Sequence, residues 1–296
     1  TSAGVLYSNT NAVEDSSYQM SSFDSDGFTL GSNLGAVNEN NKKIVGWNWK
    51  AGTSVSGNTT GSGTYKSYTG SVNSTSKFSI IKYVGNGSAG HTIPHHLGQA
   101  PTFTIVKALG LTESWQVISS GLAADKFIQL NANSAEVSQG SYNRFNSTRP
   151  SSTVVTLGSD DHTNKNNENF IMYNFCNVDG FSKSGFYNGN GNADGTFIYT
   201  GFKPAFVILK RTNTSNNWIM FDNKRDPHNE AIRVLYPNES SVEDAGTGAN
   251  DIDFLSNGIK IREDNGECNG SGDSYIYMCF AEAPLVGSNN VPCTAR

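Results

Sequence analysis

Three histidines within six residues, three carboxylate pairs and one glycine-rich run are the parts of this chain whose spacing could serve chemistry. His91, His95 and His96 suggest a metal cluster. Ligands four apart share a face only in a helix, and Pro94 opposes one there. Along a strand His95 and His96 would point to opposite faces and could not chelate together. Hydrogen-bonded structural roles are therefore expected of His91 and His95. The pairs are Asp24/Asp26, Asp160/Asp161 and Asp251/Asp253. Residues two apart on a strand share a face, so Asp251 and Asp253 could stand at a separation suited to glycoside hydrolysis. The corresponding region earlier in the chain holds Ser151 and Ser152 instead, which favours turn-forming aspartates. Asp24-Ser25-Asp26-Gly27 resembles the start of a calcium loop but lacks the later ligands and the closing glutamate.

Gly85-Asn86-Gly87-Ser88-Ala89-Gly90 matches GxGxxG after a strand-like run. A dinucleotide site needs a helix opening on the last glycine and an acidic residue about 20 positions on. Here the run meets Pro94, and a glycine-rich hairpin turn is expected. Cys176, Cys268, Cys279 and Cys293 form no CxxC pair. Cys176 and Cys279 read as small buried hydrophobes, whereas Cys268 and Cys293 lie in polar surroundings and could pair. No cofactor and no metal is expected.

The elements that must position these residues are short. The 296 residues include 31 glycines, only 16% are charged, and the net charge is -5. Such usage suits short strands joined by tight turns. No run of like charge suggests a phosphate-tracking groove or a basic membrane patch, so neither nucleic acid nor membrane insertion is expected. No stretch approaches the roughly 18 apolar residues of a spanning helix. The chain starts at Thr1 without methionine and is expected to be a fragment or a processed product.

A repeat dominates the chain. Pro101 and Pro204, Phe103 and Phe206, Lys107 and Lys210, and Trp115 and Trp218 each stand 103 positions apart. FIMYNF, ending at Phe175, matches YIYMCF, ending at Phe280, 105 positions later. The first 50 residues repeat only the second half of this unit. Leu6-Tyr7 and Val13-Glu14-Asp15 recur 229 positions on as Leu235-Tyr236 and Val242-Glu243-Asp244, and IVGWNW, ending at Trp49, matches YIYMCF. This predicts a partial repeat at 1–50, a Gly/Ser/Thr-rich linker at 51–77, complete repeats at 78–180 and 181–284, and a tail at 285–296. A half-domain leaves an apolar face and sheet edges open. Its missing half is expected from preceding sequence or a neighbouring chain. Tyr65 and Tyr68 of the linker could dock on a neighbouring surface.

Phe78–Val84, 102–107, Val154–Leu157 and 170–175 are β-branched or aromatic runs bounded by Gly, Asn and Pro. No helical stripe persists. The expected fold is all-β: tandem β-sandwich or jelly-roll-like domains with few short helices. Trp115, Trp218, Phe103, Phe206, Pro101, Pro204, Trp47 and Trp49 are the core candidates. A ligand-stacking tryptophan is the sharper alternative for Trp115 and Trp218.

The repeat also carries a resemblance. F-S-I-x-x-Y-x-G-N-G, P-H-x-L-G-x-x-P-x-F, the single Trp, Y-T-G-F-x-P-A-F-V-x-x-K-R, D-F-L-S-N-G and Y-I-Y-M-x-F-A-E-x-P resemble a repeat-domain family of tailed phages of marine bacteria. The ending Thr294-Ala295-Arg296 is similar to that family's C-terminus. The resemblance implies a non-enzymatic structural, tail-fibre, tail-tip or capsid-decorating protein on the virion exterior. Such a protein would assemble with copies of itself and other virion proteins and adhere to the host. It transfers no catalytic residues. The alternative expectation is a module that binds or degrades host cell-surface glycan.

Overall fold

In a computed structural model, residues 4–17, 20–31, 37–140, 142–244 and 250–282 are described. Among them the chain is all-β, with antiparallel strands and one helix of four residues. The partial repeat contributes a hairpin, β1 (Met20–Phe23) and β2 (Phe28–Leu30). Then come β3 (Thr53–Asn58), β4 (Thr60–Gly61) and β5 (Ser67–Asn73). The first complete repeat holds β6 (Phe78–Val84), β7 (His91–Pro94), β8 (Phe103–Ala108), β9 (Gln116–Ser119), β10 (Lys126–Gln129), β11 (Val137–Ser138), β12 (Val154–Leu157), α1 (Asp161–Asn164) and β13 (Asn169–Phe175). The second holds β14 (Ser182–Asn188), β15 (Phe197–Tyr199), β16 (Pro204–Arg211), β17 (Trp218–Asp222), β18 (Ile252–Leu255), β19 (Gly258–Ile261) and β20 (Ser274–Ala281).

Both repeats order their main sheets alike: β9-β8-β13-β6 in the first and β17-β16-β20-β14 in the second. A three-stranded sheet covers one face of each, β12-β7-β4 and β15-β19-β18. Between the layers lies a buried cluster, with Ile81, Val106, Phe170, Ile93 and Val155 in the first repeat and Val207, Phe221, Tyr275, Ile198 and Ile259 in the second. The opposite faces of the two main sheets meet in a third cluster, which includes Phe78, Phe103, Trp115, Phe206, Trp218 and Phe280. The central strands are thus buried on both faces, and this is why YIYMCF shows no polar alternation. Tyr275, Tyr277 and Cys279 enter the cluster within the second repeat, while Ile276, Met278 and Phe280 enter the shared one.

The segment expected as a linker is a correction. Residues 51–77 form β3, β4 and β5. β5 pairs antiparallel with β6 and β3 with β5; with β10 and β11 on the opposite edge the first main sheet reaches eight strands. Tyr68 is buried, while Tyr65 remains exposed. A run with few apolar residues becomes strand because β6 offers it an open edge: the backbone ladder, not local propensity, decides. IVGWNW is a second correction. It forms no paired strand, and its odd residues Val45, Trp47 and Trp49 lie half-buried while Ile44, Gly46 and Asn48 are exposed.

Candidate functional site

The glycine-rich run is a structural clasp present in both repeats. Asn164 is fully buried, and its Nδ2 donates to the carbonyls of Gly158 (2.7 Å) and Ser88 (3.0 Å). Its Oδ1 accepts from the Asn86 backbone N–H at 2.9 Å. In the second repeat Asn269 donates to the carbonyls of Glu263 (2.6 Å) and Asn192 (2.8 Å) and accepts from the Asn190 N–H at 3.0 Å. Tyr83 Oη donates to the Thr163 carbonyl (2.6 Å), as Tyr187 Oη does to Cys268 (2.7 Å). The glycines follow from this geometry. A Cβ on Gly85 would stand 2.4 Å from the Lys165 carbonyl oxygen, and one on Gly189 would stand 2.2 Å from that of Gly270. Gly87 and Gly191 take positive φ, 74° and 61°. Asn164 and Asn269 were not singled out from sequence, although they stand 105 positions apart, in register with Phe175 and Phe280.

The histidines are held by hydrogen bonds. His91 is buried, with Nδ1 2.8 Å from Asn164 Oδ1 and Nε2 2.7 Å from the Thr59 hydroxyl. Since Asn164 Oδ1 only accepts, His91 Nδ1–H donates and Nε2 accepts from Thr59. His95 Nε2 donates to the Ser151 carbonyl (3.1 Å), and its Nδ1 accepts from the Leu97 N–H (3.2 Å). Burial pulls both imidazoles below their usual value and favours these neutral forms. His96 is exposed and bonds Tyr68 Oη at 2.8 Å. Among the described residues no three His, Cys, Asp or Glu side chains converge to hold a metal ion.

The carboxylate pairs separate. Asp24 closes the β1–β2 turn: the Ser22 and Thr29 hydroxyls donate to it and hold it below the usual carboxylate range, the former more strongly. Asp26 is exposed in the same turn. Asp253 is paired with Arg262, whose Nε and Nη2 each approach Oδ2 at 2.6 Å. Asp251 lies outside β18, and burial, then the Glu230 charge, pushes it up. Asp251 and Asp253 thus do not stand two apart on one strand as a hydrolytic pair would require: one is bound to a guanidinium and the other lies outside β18.

An acidic cluster went unnoticed in the sequence. Cys268 Sγ donates to Glu263 Oε1 at 2.8 Å inside the second repeat, and Asn250 Nδ2 donates to Glu267. Burial pushes the Glu263 carboxyl up to about 7, with the Asp251 and Glu267 charges adding to the rise and the Cys268 thiol opposing it. Burial also holds the Cys268 thiol well above its usual value. A thiol kept protonated and fully buried is inert as a nucleophile. Cys176 and Cys279 are likewise buried and free; Cys293, which the sequence allowed to pair with Cys268, lies outside the described residues, as does the tail.

The core candidates meet in the shared cluster. Trp115, Trp218, Phe103 and Phe206 are buried there, and Pro101 and Pro204 are buried at the starts of equivalent strands. Trp218 Nε1 donates to the Gln129 carbonyl at 2.8 Å, and Trp115 Nε1 to the Tyr7 carbonyl at 3.0 Å. Neither indole is open to stack a ligand. Trp47 and Trp49 lie across the shared cluster, both against Phe206. Exposed aromatics of the second repeat are instead Phe186, Phe197 and Tyr199. Tyr199 lines a cavity of about 350 Å³ with Asp179 and Lys183, whose ammonium sits 5.1 Å from its ring centre.

Comparison with curated proteins finds no match, and comparison with solved structures finds none. One family model, described as a domain of unknown function (DUF7483), matches residues 1–284, so the chain belongs to that family.

Proposed function

We propose that this chain is a non-enzymatic structural component of a bacteriophage exterior: a tail-fibre, tail-tip or capsid-decorating subunit with an adhesive role towards the host. Its modules are read as tandem β-sandwiches of jelly-roll type that assemble with copies of the chain and with other virion proteins. One observation carries this reading. What recurs between the repeats is packing machinery, namely the Trp indole bond, the Asn clasp and the Pro and Phe positions. The titratable clusters differ from one repeat to the other. A domain reused for its scaffold, in which the recurring buried lysines, Lys107 and Lys210, each donate to the carbonyl of the next residue, suits a building block. The family resemblance of the repeat motifs points the same way. No helix among the described residues is long and apolar enough to cross a membrane. The test is reconstruction of the phage particle with antibody labelling of this chain. Symmetric density on the exterior is expected; absence of the chain from purified particles overturns the reading.

A second reading, a glycan-binding or glycan-degrading module, is favoured by the Tyr199–Lys183–Asp179 cavity, where an exposed ring stands beside charged hydrogen-bonding groups. Binding of host polysaccharide that is lost in Tyr199→Ala would support it. Release of reducing sugar by purified protein would overturn the non-enzymatic reading.

A further inference from the structure

Two of the contacts that join the first repeat to the second are repeated, in the same spacing, between the partial repeat and the first. Trp218 reaches the Gln129 carbonyl, and seven residues past Gln129 the Glu136 N–H donates to the Thr212 carbonyl at 2.7 Å. Trp115 reaches the Tyr7 carbonyl, and seven residues past Tyr7 the Glu14 N–H donates to the Leu109 carbonyl at 2.8 Å. Thr212 and Leu109 each stand six residues before the tryptophan of their repeat. Each complete repeat therefore clamps the second half of the copy before it through one carbonyl and one N–H.

The second repeat presents the same clamped surface, and among the described residues no tryptophan holds it. The bridge between Val5 and Asp15 recurs as Val234 with Asp244, so Tyr236 and Glu243 take the places of Tyr7 and Glu14. Tyr7 O accepts both Thr10 N–H and the Trp115 indole; Tyr236 O accepts the equivalent Glu239 N–H and, among the described residues, no indole. Val242 is 87% exposed beside it. A cavity of about 760 Å³ separates this face, with Arg225, Leu235, Val242 and Glu243, from Lys43 and Val45 of the partial repeat.

Across that cavity runs the segment 43–49, which alternates half-buried and exposed residues over 44–49 and has no paired strand beside it among the described residues. Trp49, Phe175 and Phe280 occupy one position of the three copies, and their rings form a triangle with centroids 6.1, 5.2 and 5.9 Å apart. The partial repeat thus occupies the third place around a common aromatic axis. In the complete repeats the central strand at this place, β13 or β20, is paired on both edges. Among the described residues no backbone hydrogen bond joins 43–49 to another strand. The indole nitrogen of Trp47, within this segment, is buried and has no partner among the described residues.

We propose that residues 43–49 and the Tyr236–Glu243 face together form an acceptor for the first half of a third repeat, entering in cis on the N-terminal side. It would add strands equivalent to β14 and β16 to both open edges and place a tryptophan on the Tyr236 carbonyl, closing three repeats into a ring. Unpaired strand edges favour such addition because main-chain hydrogen bonds supply the affinity. The inference does not depend on the proposed function.

The test adds residues 181–229 directly ahead of Thr1 of the full chain, which preserves the 229-residue spacing. Hydrogen exchange at the amides of 44–49 is expected to slow at least 100-fold relative to the unmodified chain. The same fusion with its added tryptophan replaced by alanine is expected to lose most of that protection. Unchanged exchange at 44–49 in a folded fusion overturns the proposal. Two results with the unmodified chain also overturn it, even if the fusion does not fold. One is slow exchange at 44–49 in a monomer, which would mean the edges are not open. The other is protection that rises with protein concentration, which would assign the slot to a second copy.

Discussion

The two complete repeats share a skeleton and differ in what surrounds it. Around Asn164 the first repeat sets a neutral histidine, His91, capped by Thr59 of the segment that joins its edge. Around Asn269 the second sets a carboxyl that burial pushes up and a thiol, Glu263 and Cys268. The clasp tolerates either neighbour because its bonds run to backbone carbonyls and N–H groups, which do not depend on side-chain identity. Ionisable residues can drift around such a centre provided each finds a partner or stays neutral.

The largest test of this equivalence concerns the tryptophans. Trp218→Ala is expected to cost about 3–5 kcal/mol in a denaturant titration, as for a buried aromatic. Trp115→Ala should fall at the lower end, because it clamps a half-repeat and not a complete one. Equal losses would show that the partial repeat packs as firmly as a complete one. Next, Asn164→Ala and Asn269→Ala should each cost roughly 2–4 kcal/mol, since each strands several buried backbone groups. A loss in only one repeat would break the equivalence of the clasps.

The repeats should also respond to pH with opposite signs. The Glu263 carboxyl lies above the usual glutamate value when folded, so between 4.5 and about 7 the native state holds more protons than the unfolded one. Stability of the second repeat therefore falls as pH rises through that window, by up to about 3 kcal/mol, and Glu263→Gln flattens it. His91 and His95 are depressed below 6.5, so below that value the unfolded state binds more protons, and stability of the first repeat is lost on acidification. Hydrogen exchange at pH 5 and pH 7, corrected for intrinsic rates, should show β20 opening more readily at the higher pH and β13 at the lower. The same sign in both strands would refute these assignments. The smallest effect is that of Tyr83→Phe and Tyr187→Phe, about 1 kcal/mol each, from a single hydroxyl-to-carbonyl bond.

Much of the skeleton was legible because it is written in residues with few substitutes. The constant spacing of Trp115 and Trp218, and of Phe175 and Phe280, marks one unit used twice, and the main sheets follow the same order. The histidine and aspartate readings rested on local geometry, Pro94 against a helix and alternation along a strand; Pro94 does end a strand, but His95, His96 and Asp251 fall just outside β7 and β18, where alternation does not govern them. The hairpin in residues 51–77 was not legible. Its strand character comes from β6, an edge formed only after folding, and its composition resembles a loop. Glu263 and Cys268 look ordinary in a polar, glycine-rich run; burial alone changes their protonation.

By itself the sequence determined the all-β class, the repeat and its phase, because glycine, proline and large aromatics constrain the backbone and core wherever they stand. Only the tertiary structure decided that the main sheets share an aromatic layer, that Trp49 joins Phe175 and Phe280 there, and that residues 43–45 share one cavity with Leu235, Val242 and Glu243. Those relations join residues more than 100 positions apart, and non-local contacts leave no mark in local sequence until the chain brings the surfaces together.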